Sequence, residues 1–313
     1  MQIFKSETHF KFMNQRKLAL IFSLALIVIA IASIALRGLN LGIDFTGGTL
    51  VEVGYTDPVE LPNVRKELAK GGFADATVQH FGTSKDVLVR LAPRGDVDSA
   101  ELSNQAFNAL SNVAQGGSAE LRRVEFVGPQ VGDELTEDGG LAMLYALIGI
   151  LIYVALRFEY RFAVGSVIAL VHDVLITVGL FALLQVEFDL PVLAAVLAVI
   201  GYSLNDTIVV YDRVRENFRK IRKGTSAEII DASLNQTLSR TLVTSMTTLF
   251  VLIALFLFGG EIIHGFALAL IIGVFIGTYS SVYVASTSIL MLGISKEDLM
   301  PVQKEGAELD AEP

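Results

Sequence analysis

Two acidic side chains lie inside long apolar segments of the sequence, where an ionisable group is able to do chemistry. Asp173 follows His172 at the midpoint of the segment 162–184, and Asp206 lies near the end of the segment 191–211. A charge at the centre of a bilayer costs about 2.5–3.5 kcal/mol on insertion scales, so such residues usually face the bundle interior and mark ion pathways. Burial disfavours an ionised carboxylate and a nearby cation favours it, so an Asp that alternates between these surroundings is able to load and release a proton.

Three polar residues are predicted to accompany Asp206. Tyr202 precedes it by one helical turn and shares its side of the helix, and Asn205 supplies an amide beside it. Arg240 lies at the entrance of the apolar segment 241–258 and is the candidate cation for Asp206. The predicted proton path therefore contains Asp206, Arg240, Asp173 and His172.

Each acid also has a structural or an enzymatic interpretation. Asp206 could be a hydrogen-bonding residue between helices, and Arg240 could be a basic residue at the membrane interface. His172 and Asp173 could satisfy backbone groups, and they are predicted to lie on different faces because adjacent helical residues are about 100° apart. The two Asp residues could also form the paired carboxylates of an intramembrane aspartyl protease, although neither follows the Gly-x-Gly sequence expected of such an enzyme.

Six apolar segments are long enough to hold these groups within a membrane, because about 20 apolar residues cross the roughly 30 Å of hydrocarbon. The chain is 52% hydrophobic and 18% charged, whereas soluble domains contain about 25% charged residues. It contains no Cys, which excludes disulfides and Cys-ligated metals, and no metal site is expected. The predicted transmembrane helices cover residues 18–36, 139–156, 162–184, 191–211, 241–258 and 264–292.

Basic residues predict how the chain is oriented in the membrane. Lys and Arg are concentrated before the first span and after the second and fourth spans, whereas the short loops 185–190 and 259–263 contain neither. Because short cytoplasmic loops carry the excess of Lys and Arg, both termini are predicted to be cytoplasmic, and residues 37–138 are predicted to lie outside. The larger predicted cytoplasmic segments are 1–17, 212–240 and 293–313.

The predicted outer segment, residues 37–138, has the sequence pattern of a small α+β domain. Alternating apolar residues and turn signals predict the order β-α-β-β-α-β, which is that of the ferredoxin-like split βαβ unit. This fold supports many functions and does not by itself indicate one. The predicted strands are 49–55, 76–81, 86–91 and 120–127, and the predicted helices are 58–71 and 97–114.

Two local patterns concern the helices around the membrane. Small residues recur every four positions in the last apolar segment and predict close helix packing, or else a face that slides during a cycle. Thr225 and Glu228 have the spacing of a capping box, which predicts an amphipathic helix at the cytoplasmic surface that extends to Ser239. The small residues are Ala269, Gly273, Gly277, Ser281 and Ala285.

Three stretches together resemble the signature motifs of the SecF family of bacterial protein-export membrane subunits, which is part of the wider SecD/SecF family. They are GIDFTGG at 42–48, VGPQVG at 127–132 and GYSLNDTIVVYDRVREN at 201–217. The resemblance extends over nearly the whole chain, including the order of spans and outer domain. It implies a six-helix bundle similar to that of the RND exporters, with a ferredoxin-like extracytoplasmic domain.

The resemblance also implies a function. Members of this family pair with SecD, associate with the SecYEG channel and YajC, and use the proton motive force to assist preprotein translocation across the bacterial inner membrane. An accessory transport subunit of this kind is not an enzyme, needs no cofactor besides the proton gradient and binds no nucleic acid. Half of an RND-type small-molecule exporter is the alternative, although a domain of this size leaves little room for a substrate pocket.

The same resemblance assigns roles to particular residues. It implies that Asp206 and Arg240 belong to the proton path, and it supports Asp173 less strongly. It also implies that the glycine-rich motif after the first span is a hinge to the outer domain, although a tight turn into the first strand is a simpler interpretation. The motif and hinge residues are Gly42, Asp44, Gly47, Gly48, Gly128 and Gly132.

Overall fold

The structure is a computed structural model that describes residues 8–94, 98–114 and 117–296. The predictions for the segments 1–17 and 293–313, and for the first residue of the helix 97–114, therefore fall partly outside the described residues. The elements in chain order are α1 (Arg16–Arg37), β1 (Asn40–Leu41), α2 (Ile43–Thr46), β2 (Gly48–Tyr55), α3 (Leu61–Lys70), β3 (Thr77–Phe81), β4 (Thr83–Leu91), α4 (Ser99–Ser111), β5 (Ala119–Val127), α5 (Pro129–Arg157), α6 (Tyr160–Leu184), β6 (Glu187–Phe188), α7 (Leu190–Lys220), α8 (Ser226–Phe258), α9 (His264–Ser280) and α10 (Ser286–Met291).

The described residues contain six helical segments that are long and apolar enough to cross a membrane, and the predicted six-helix membrane architecture is confirmed. They are built on α1, α5, α6, α7, α8 and the continuous α9–α10 segment, in which a π turn (Ser281–Ala285) joins α9 to α10. In α6 and in α7, half of the most apolar 18-residue stretch is buried within the chain. The corresponding share is 11–17% in the spans built on α1, α5 and α8. Helices α6 and α7 therefore form the centre of the bundle, where a polar group is removed from both lipid and water.

The outer domain has the predicted ferredoxin-like fold. Its four strands form an antiparallel sheet in the order β3-β4-β2-β5, and the core includes side chains from the strands, from α3 and from α4. Val51 and Val53 of β2 and Val87 and Val89 of β4 are fully buried in this core. The β3–β4 turn consists of Gly82 with a φ of 74°, so β4 begins three residues earlier than predicted.

Several helices extend further than the apolar pattern predicts. Helix α5 begins at Pro129, ten residues before the predicted span, because a proline in the first turn is compatible with a helix start and polar residues can continue a helix outside the membrane. Helix α7 continues to Lys220. Both hydrogen bonds of the Thr225–Glu228 capping box are present, but the predicted surface helix is not a separate element. It forms one unbroken helix with the fifth span, since no residue between them interrupts the backbone ladder.

The link between the outer domain and the bundle contains structure that the sequence pattern does not predict. Strand β1 pairs in parallel with β6, and the amide of Gly42 donates to the carbonyl of Phe188 at 2.9 Å. The motif that follows forms the single helical turn α2, and Gly47 and Gly48 then have φ values of 67° and 129°. Other residues rarely adopt such values. The motif is thus a helical turn followed by a glycine pair, rather than a simple tight turn.

Candidate functional site

The carboxylate of Asp173 is completely buried at the centre of the bundle, and hydroxyl groups surround it. Oδ2 accepts hydrogen bonds from the Ser203 hydroxyl of α7 at 2.5 Å and from the Ser280 hydroxyl of α9 at 2.8 Å. Oδ1 lies 2.8 Å from Nδ1 of His172. Three donors on one buried carboxylate offset much of the cost of removing it from water.

His172 joins the same network, so the prediction that His172 and Asp173 lie on different faces was wrong. Both side chains are buried and they bond to each other, because a rotation of about 100° still lets two adjacent side chains bend towards a common point. Nε2 of His172 lies 3.2 Å from the Ser23 hydroxyl of α1, which lies 3.0 Å from the Tyr279 hydroxyl of α9. His172 therefore bonds to side chains rather than to backbone groups.

Small residues bring the helices close enough for these hydrogen bonds. A Cβ atom at Gly277 would lie 3.0 Å from Cβ of Ser203, and a Cβ atom at Gly273 would overlap the side chain of Val199. Helix α9 therefore approaches α7 along the predicted stripe of small residues. Gly179 of α6 faces Ala30 of α1 with equally little space, and this contact holds Ser23 within reach of His172.

The carboxylate of Asp206 is only partly buried and receives hydrogen bonds from two other helices. Oδ1 accepts from the Thr241 hydroxyl of α8, and Oδ2 accepts from the Ser281 hydroxyl, each at 2.8 Å. Asp206 thus connects the fourth, fifth and sixth spans through its two oxygens. Ser281, predicted as a packing residue, is also a hydrogen-bond donor to the acid.

Arg240 forms no ion pair with Asp206 in the described part of the chain. Its guanidinium is close enough for electrostatic attraction to the carboxylate, but Arg240 is exposed and Thr241, the next residue, makes the direct contact. Tyr202 donates to Thr248 of α8 at 3.5 Å, and Asn205 is exposed on the surface of α7. Of the residues predicted to accompany Asp206, none bonds to its carboxylate.

The sequence pattern does not reveal three of the residues that bind the acids, which are Ser203, Ser280 and Thr241. Hydroxyl side chains are common in apolar helices, and a single hydroxyl has no pattern that separates a hydrogen bond to an acid from one to its own backbone. The only available signal was the small-residue stripe, which shows that α9 faces α7 but not which hydroxyls point at a carboxylate.

Asp173 and Asp206 do not form a paired-carboxylate site. Each oxygen of each acid is directed at a different donor, and the two carboxylates share no hydrogen-bond partner. An aspartyl protease needs two carboxyl groups close enough to share one proton. Within the described residues there is also no group of three or more His, Cys, Asp or Glu that could hold a metal ion.

A second polar cluster lies at the opposite end of α7, where the glycine-rich motif meets the start of this helix. The carboxylate of Asp44 accepts a hydrogen bond from the amide of Leu190 at 2.8 Å, and Asp189 caps the helix by accepting from Val192 at 2.9 Å. The unpaired amides and the helix dipole at this helix start attract carboxylate oxygens, although burial opposes the ionisation of Asp189. Asp44 therefore connects the outer segment directly to the helix that carries Asp206.

An ion pair links this cluster to the outer domain. Arg90 of β4 pairs with Glu187 of β6, and it also donates to the carbonyl of Leu41 at 3.3 Å. Burial raises the pKa of Asp189 to about 6, and the charges of Glu187 and Asp44 add to this shift against the opposing hydrogen bond from Val192. The cluster therefore contains an acid whose pKa lies well above that of an ordinary carboxyl group.

The remaining motif residues have structural positions. A Cβ atom at Gly132 would lie 2.9 Å from the amide nitrogen of Gly47, so the first turn of α5 packs directly against the backbone after α2. Gly128 precedes α5 and has no close neighbour, and nothing in the structure explains a need for glycine there.

Solved structures of SecDF are similar to this chain. The crystal structure of SecDF, a translocon-associated membrane protein from a Thermus species, matches with a TM-score of 0.83 and 38% identity over 93% of this chain. SecDF in a super-membrane-facing form matches over the same share with a TM-score of 0.68. The chain spans 39% of the length of the SecDF chains that it matches.

Six helical segments able to span a membrane, with one ferredoxin-like domain, define a multi-pass membrane protein whose bundle holds two hydrogen-bonded carboxylates. Residues 32–59 match the SecD/SecF GG motif, and residues 106–295 match the C-terminal region of the protein export membrane proteins SecD/SecF. The chain is 58% identical over its full length to the protein translocase subunit SecF of Vibrio alginolyticus, and the match covers 99% of that protein. It is 50% identical over 93% of its length to the protein translocase subunit SecF of Pseudomonas aeruginosa, and that match covers 94% of the relative. The chain belongs to the SecF protein translocase subunits of the SecD/SecF family.

Proposed function

We propose that this subunit couples proton movement through Asp206 to protein translocation. The observation that carries the proposal is a partly exposed carboxylate in a central helix, held by one hydroxyl from each of two neighbouring helices. Protonation removes the negative charge that attracts Arg240 and the two hydroxyl dipoles, so the positions of α8 and α9 relative to α7 depend on the protonation state. One proton that crosses 100 mV releases about 2.3 kcal/mol, which is enough to bias an equilibrium of that size.

The proposed movement reaches the outer domain through the far end of α7. Asp44 binds the first amide of this helix, and the pairing of β1 with β6 joins the same region to the glycine-rich motif. A displacement of α7 therefore changes contacts at the base of the outer domain. In this proposal the outer domain holds the emerging polypeptide and prevents it from sliding back.

The assembly and the location are part of the same proposal. SecD is the proposed direct partner, and the similarity to SecDF chains supports this pairing. The SecYEG channel, YajC and the translocating preprotein are the further proposed partners. The Lys- and Arg-rich stretch 213–223, which follows the predicted fourth span, supports an orientation in the bacterial inner membrane with both termini in the cytoplasm.

The test is gradient-dependent translocation in membrane vesicles that contain the complete complex. Asp206→Asn keeps the shape of the side chain but cannot ionise, so we expect normal assembly and loss of the stimulation by a proton gradient. Asp212→Asn is the matched control, because Asp212 lies on the same helix and is exposed, with only a 3.7 Å ion pair to Arg157. Undiminished stimulation in Asp206→Asn vesicles would remove Asp206 from the mechanism.

A further inference from the structure

Two adjacent serines connect the two acid sites of the bundle. The Ser280 hydroxyl donates to Asp173, and the Ser281 hydroxyl donates to Asp206, each at 2.8 Å. The two carboxylates share no donor, so the backbone between these serines is the shortest covalent connection between the sites. A movement of this backbone changes the hydrogen bonding of both acids.

The backbone at this point is not a regular α-helix. Residues Ser281–Ala285 form a π turn, whose wider backbone ring leaves the ordinary hydrogen-bond pattern of the helix. The Ser286 hydroxyl donates to the carbonyl of Ser281 at 3.3 Å, five residues away. The Ser281 hydroxyl has one proton, which it shares between Asp206 and the carbonyl of Thr278, 3.0 Å away. The turn is therefore held by side-chain hydrogen bonds, one of which shares the Ser281 proton with Asp206.

The surroundings of the two acids differ in charge and exposure. Asp173 faces the imidazole of His172 on its own helix, and behind it lie the hydroxyls of Ser23 and Tyr279. Asp206 faces Arg240 from α8, at a distance too great for an ion pair. Asp173 has no exposed surface, whereas the surface of Asp206 is partly exposed.

We propose that Ser280 and Ser281 are positioning residues that couple the two acid sites, so that a change at Asp173 shifts the π turn and moves α9 relative to α8 at Asp206. This inference deepens the proposed function and rests on it for its biological meaning, because coupling matters only if Asp206 takes up and releases protons. In this proposal the hydrogen bond between Ser280 and the buried Asp173 fixes the position of the π turn, and Asp206 is the acid that takes up and releases the proton.

The chain contains no Cys, so disulfide formation by two introduced cysteines reports this movement without interference from native thiols. The hydroxyls of Ser245 on α8 and Thr278 on α9 lie 2.7 Å apart, one turn from the Thr241–Asp206–Ser281 contact. We would replace both by Cys in the full chain, in native membranes with its partner proteins, and measure the rate of disulfide formation with copper-phenanthroline. Asp173→Asn, which removes a charge that does not touch α8, is expected to change this rate by about threefold or more.

A double-mutant cycle tests whether the serines carry the effect. In a Ser280→Ala background, Asp173→Asn is expected to change the rate less than twofold, because the link to the turn is already broken. Ser288→Ala is the matched control, since Ser288 lies on the same helical segment and donates only to the carbonyl of Val284. The full effect of Asp173→Asn should persist in that background.

Additive effects of Asp173→Asn and Ser280→Ala, or no effect of Asp173→Asn on the rate, would overturn the inference. Because Asp173→Asn could prevent folding, the cycle is repeated with Ser203→Ala, which removes one donor from the same carboxylate and leaves its charge in place. The rate is measured without a gradient and without translocation. A translocation-competent Asp206→Asn variant would therefore refute the proposed function while the cycle still reports coupling.

Discussion

The two acids of the bundle each accept two hydroxyl hydrogen bonds, and they differ in exposure and in the imidazole beside Asp173. Asp173 receives two hydroxyls and an imidazole and has no exposed surface, so its environment suits a fixed group. Asp206 receives two hydroxyls and remains partly exposed, and it is the acid to which the proposed function assigns proton exchange. The difference arises from the neighbours and not from the side chain itself, because solvation and hydrogen bonding control the ionisation of a carboxyl group.

At the residue scale, Asp189 predicts a specific dependence of stability on pH. Its pKa is raised from 3.8 to about 6 in the folded chain, so the folded state binds a proton more tightly than the unfolded state. The ionised group therefore destabilises the fold above pH 6, and this destabilisation disappears as the pH falls from about 6 towards 4. Asp189→Asn, which retains a capping oxygen, should raise the melting temperature in detergent at pH 8 and have little effect near pH 4.

The control for this prediction is Asp75→Asn. Asp75 is an exposed carboxylate on the outer domain that pairs with Arg94 at 3.2 Å, and an exposed pair of this kind contributes little to stability. Its replacement should produce no comparable pH-dependent difference. An Asp189→Asn variant that is less stable than the parent at pH 8 would contradict the raised pKa as the dominant effect.

At the scale of elements, the packing of α7 on α9 positions both acids. Gly273 and Gly277 allow the two helices to approach, and the side chains that meet there are Val199 and Ser203. Ser203 is itself a donor to Asp173. The packing of α7 on α9 and the hydrogen bonding of Asp173 therefore depend on the same contact. A substitution that separates the two helices is expected to disturb the acid site as well.

Replacement of Gly273 tests this contact. In Gly273→Val the added methyl groups would overlap Val199, so α9 must move away, and we expect a loss of about 1–3 kcal/mol of stability, as for other overpacked interiors. The measurement is thermal unfolding of the purified protein in detergent. Gly149→Val on α5 is the control, because a Cβ atom there meets nothing within 4 Å. Equal melting temperatures of the two variants would argue against close α7–α9 packing.

At the scale of the whole molecule, the outer domain is joined to the bundle by charges as well as by the chain. Arg90 of the central strand β4 pairs with Glu187 before α7, and Gln79 donates to the same carboxylate at 3.5 Å. The side chain of Arg90 has only 11% of its surface exposed. Its positive charge is therefore largely removed from water, and the carboxylate of Glu187 compensates for the lost hydration. The domain therefore rests on the loop that leads into the helix of Asp206.

Removal of this ion pair should loosen the junction. In Glu187→Gln we expect the amides of Gly42 and Leu190, which are hydrogen-bonded across the junction, to exchange with solvent about tenfold faster, equivalent to about 1.4 kcal/mol. Hydrogen–deuterium exchange with mass spectrometry measures this change. Glu67→Gln, which breaks an exposed pair with Lys70 on the outer domain, should leave the exchange unchanged. Unaltered exchange in Glu187→Gln would show that the ion pair does not hold the junction.

The sequence alone determines the membrane architecture and the domain fold. Long apolar segments must form helices in lipid, because each backbone polar group there needs an internal partner. The β-α-β-β-α-β order likewise predicts the ferredoxin-like fold, since alternation and turn residues are local properties. The acids themselves could also be identified, because an ionisable residue in an apolar segment stands out in any sequence.

Only the tertiary structure determines which groups meet these acids. Ser203, Ser280 and Thr241 come from three different helices, and their contacts with Asp173 and Asp206 depend on helix rotation and on the approach that the glycines allow. The π turn and the pairing of β1 with β6 likewise join residues that are not related by a local pattern. Periodicity predicts the face of one helix, but a hydrogen bond between helices requires several rotations and distances to be correct at once, and this information exists only in the packed bundle.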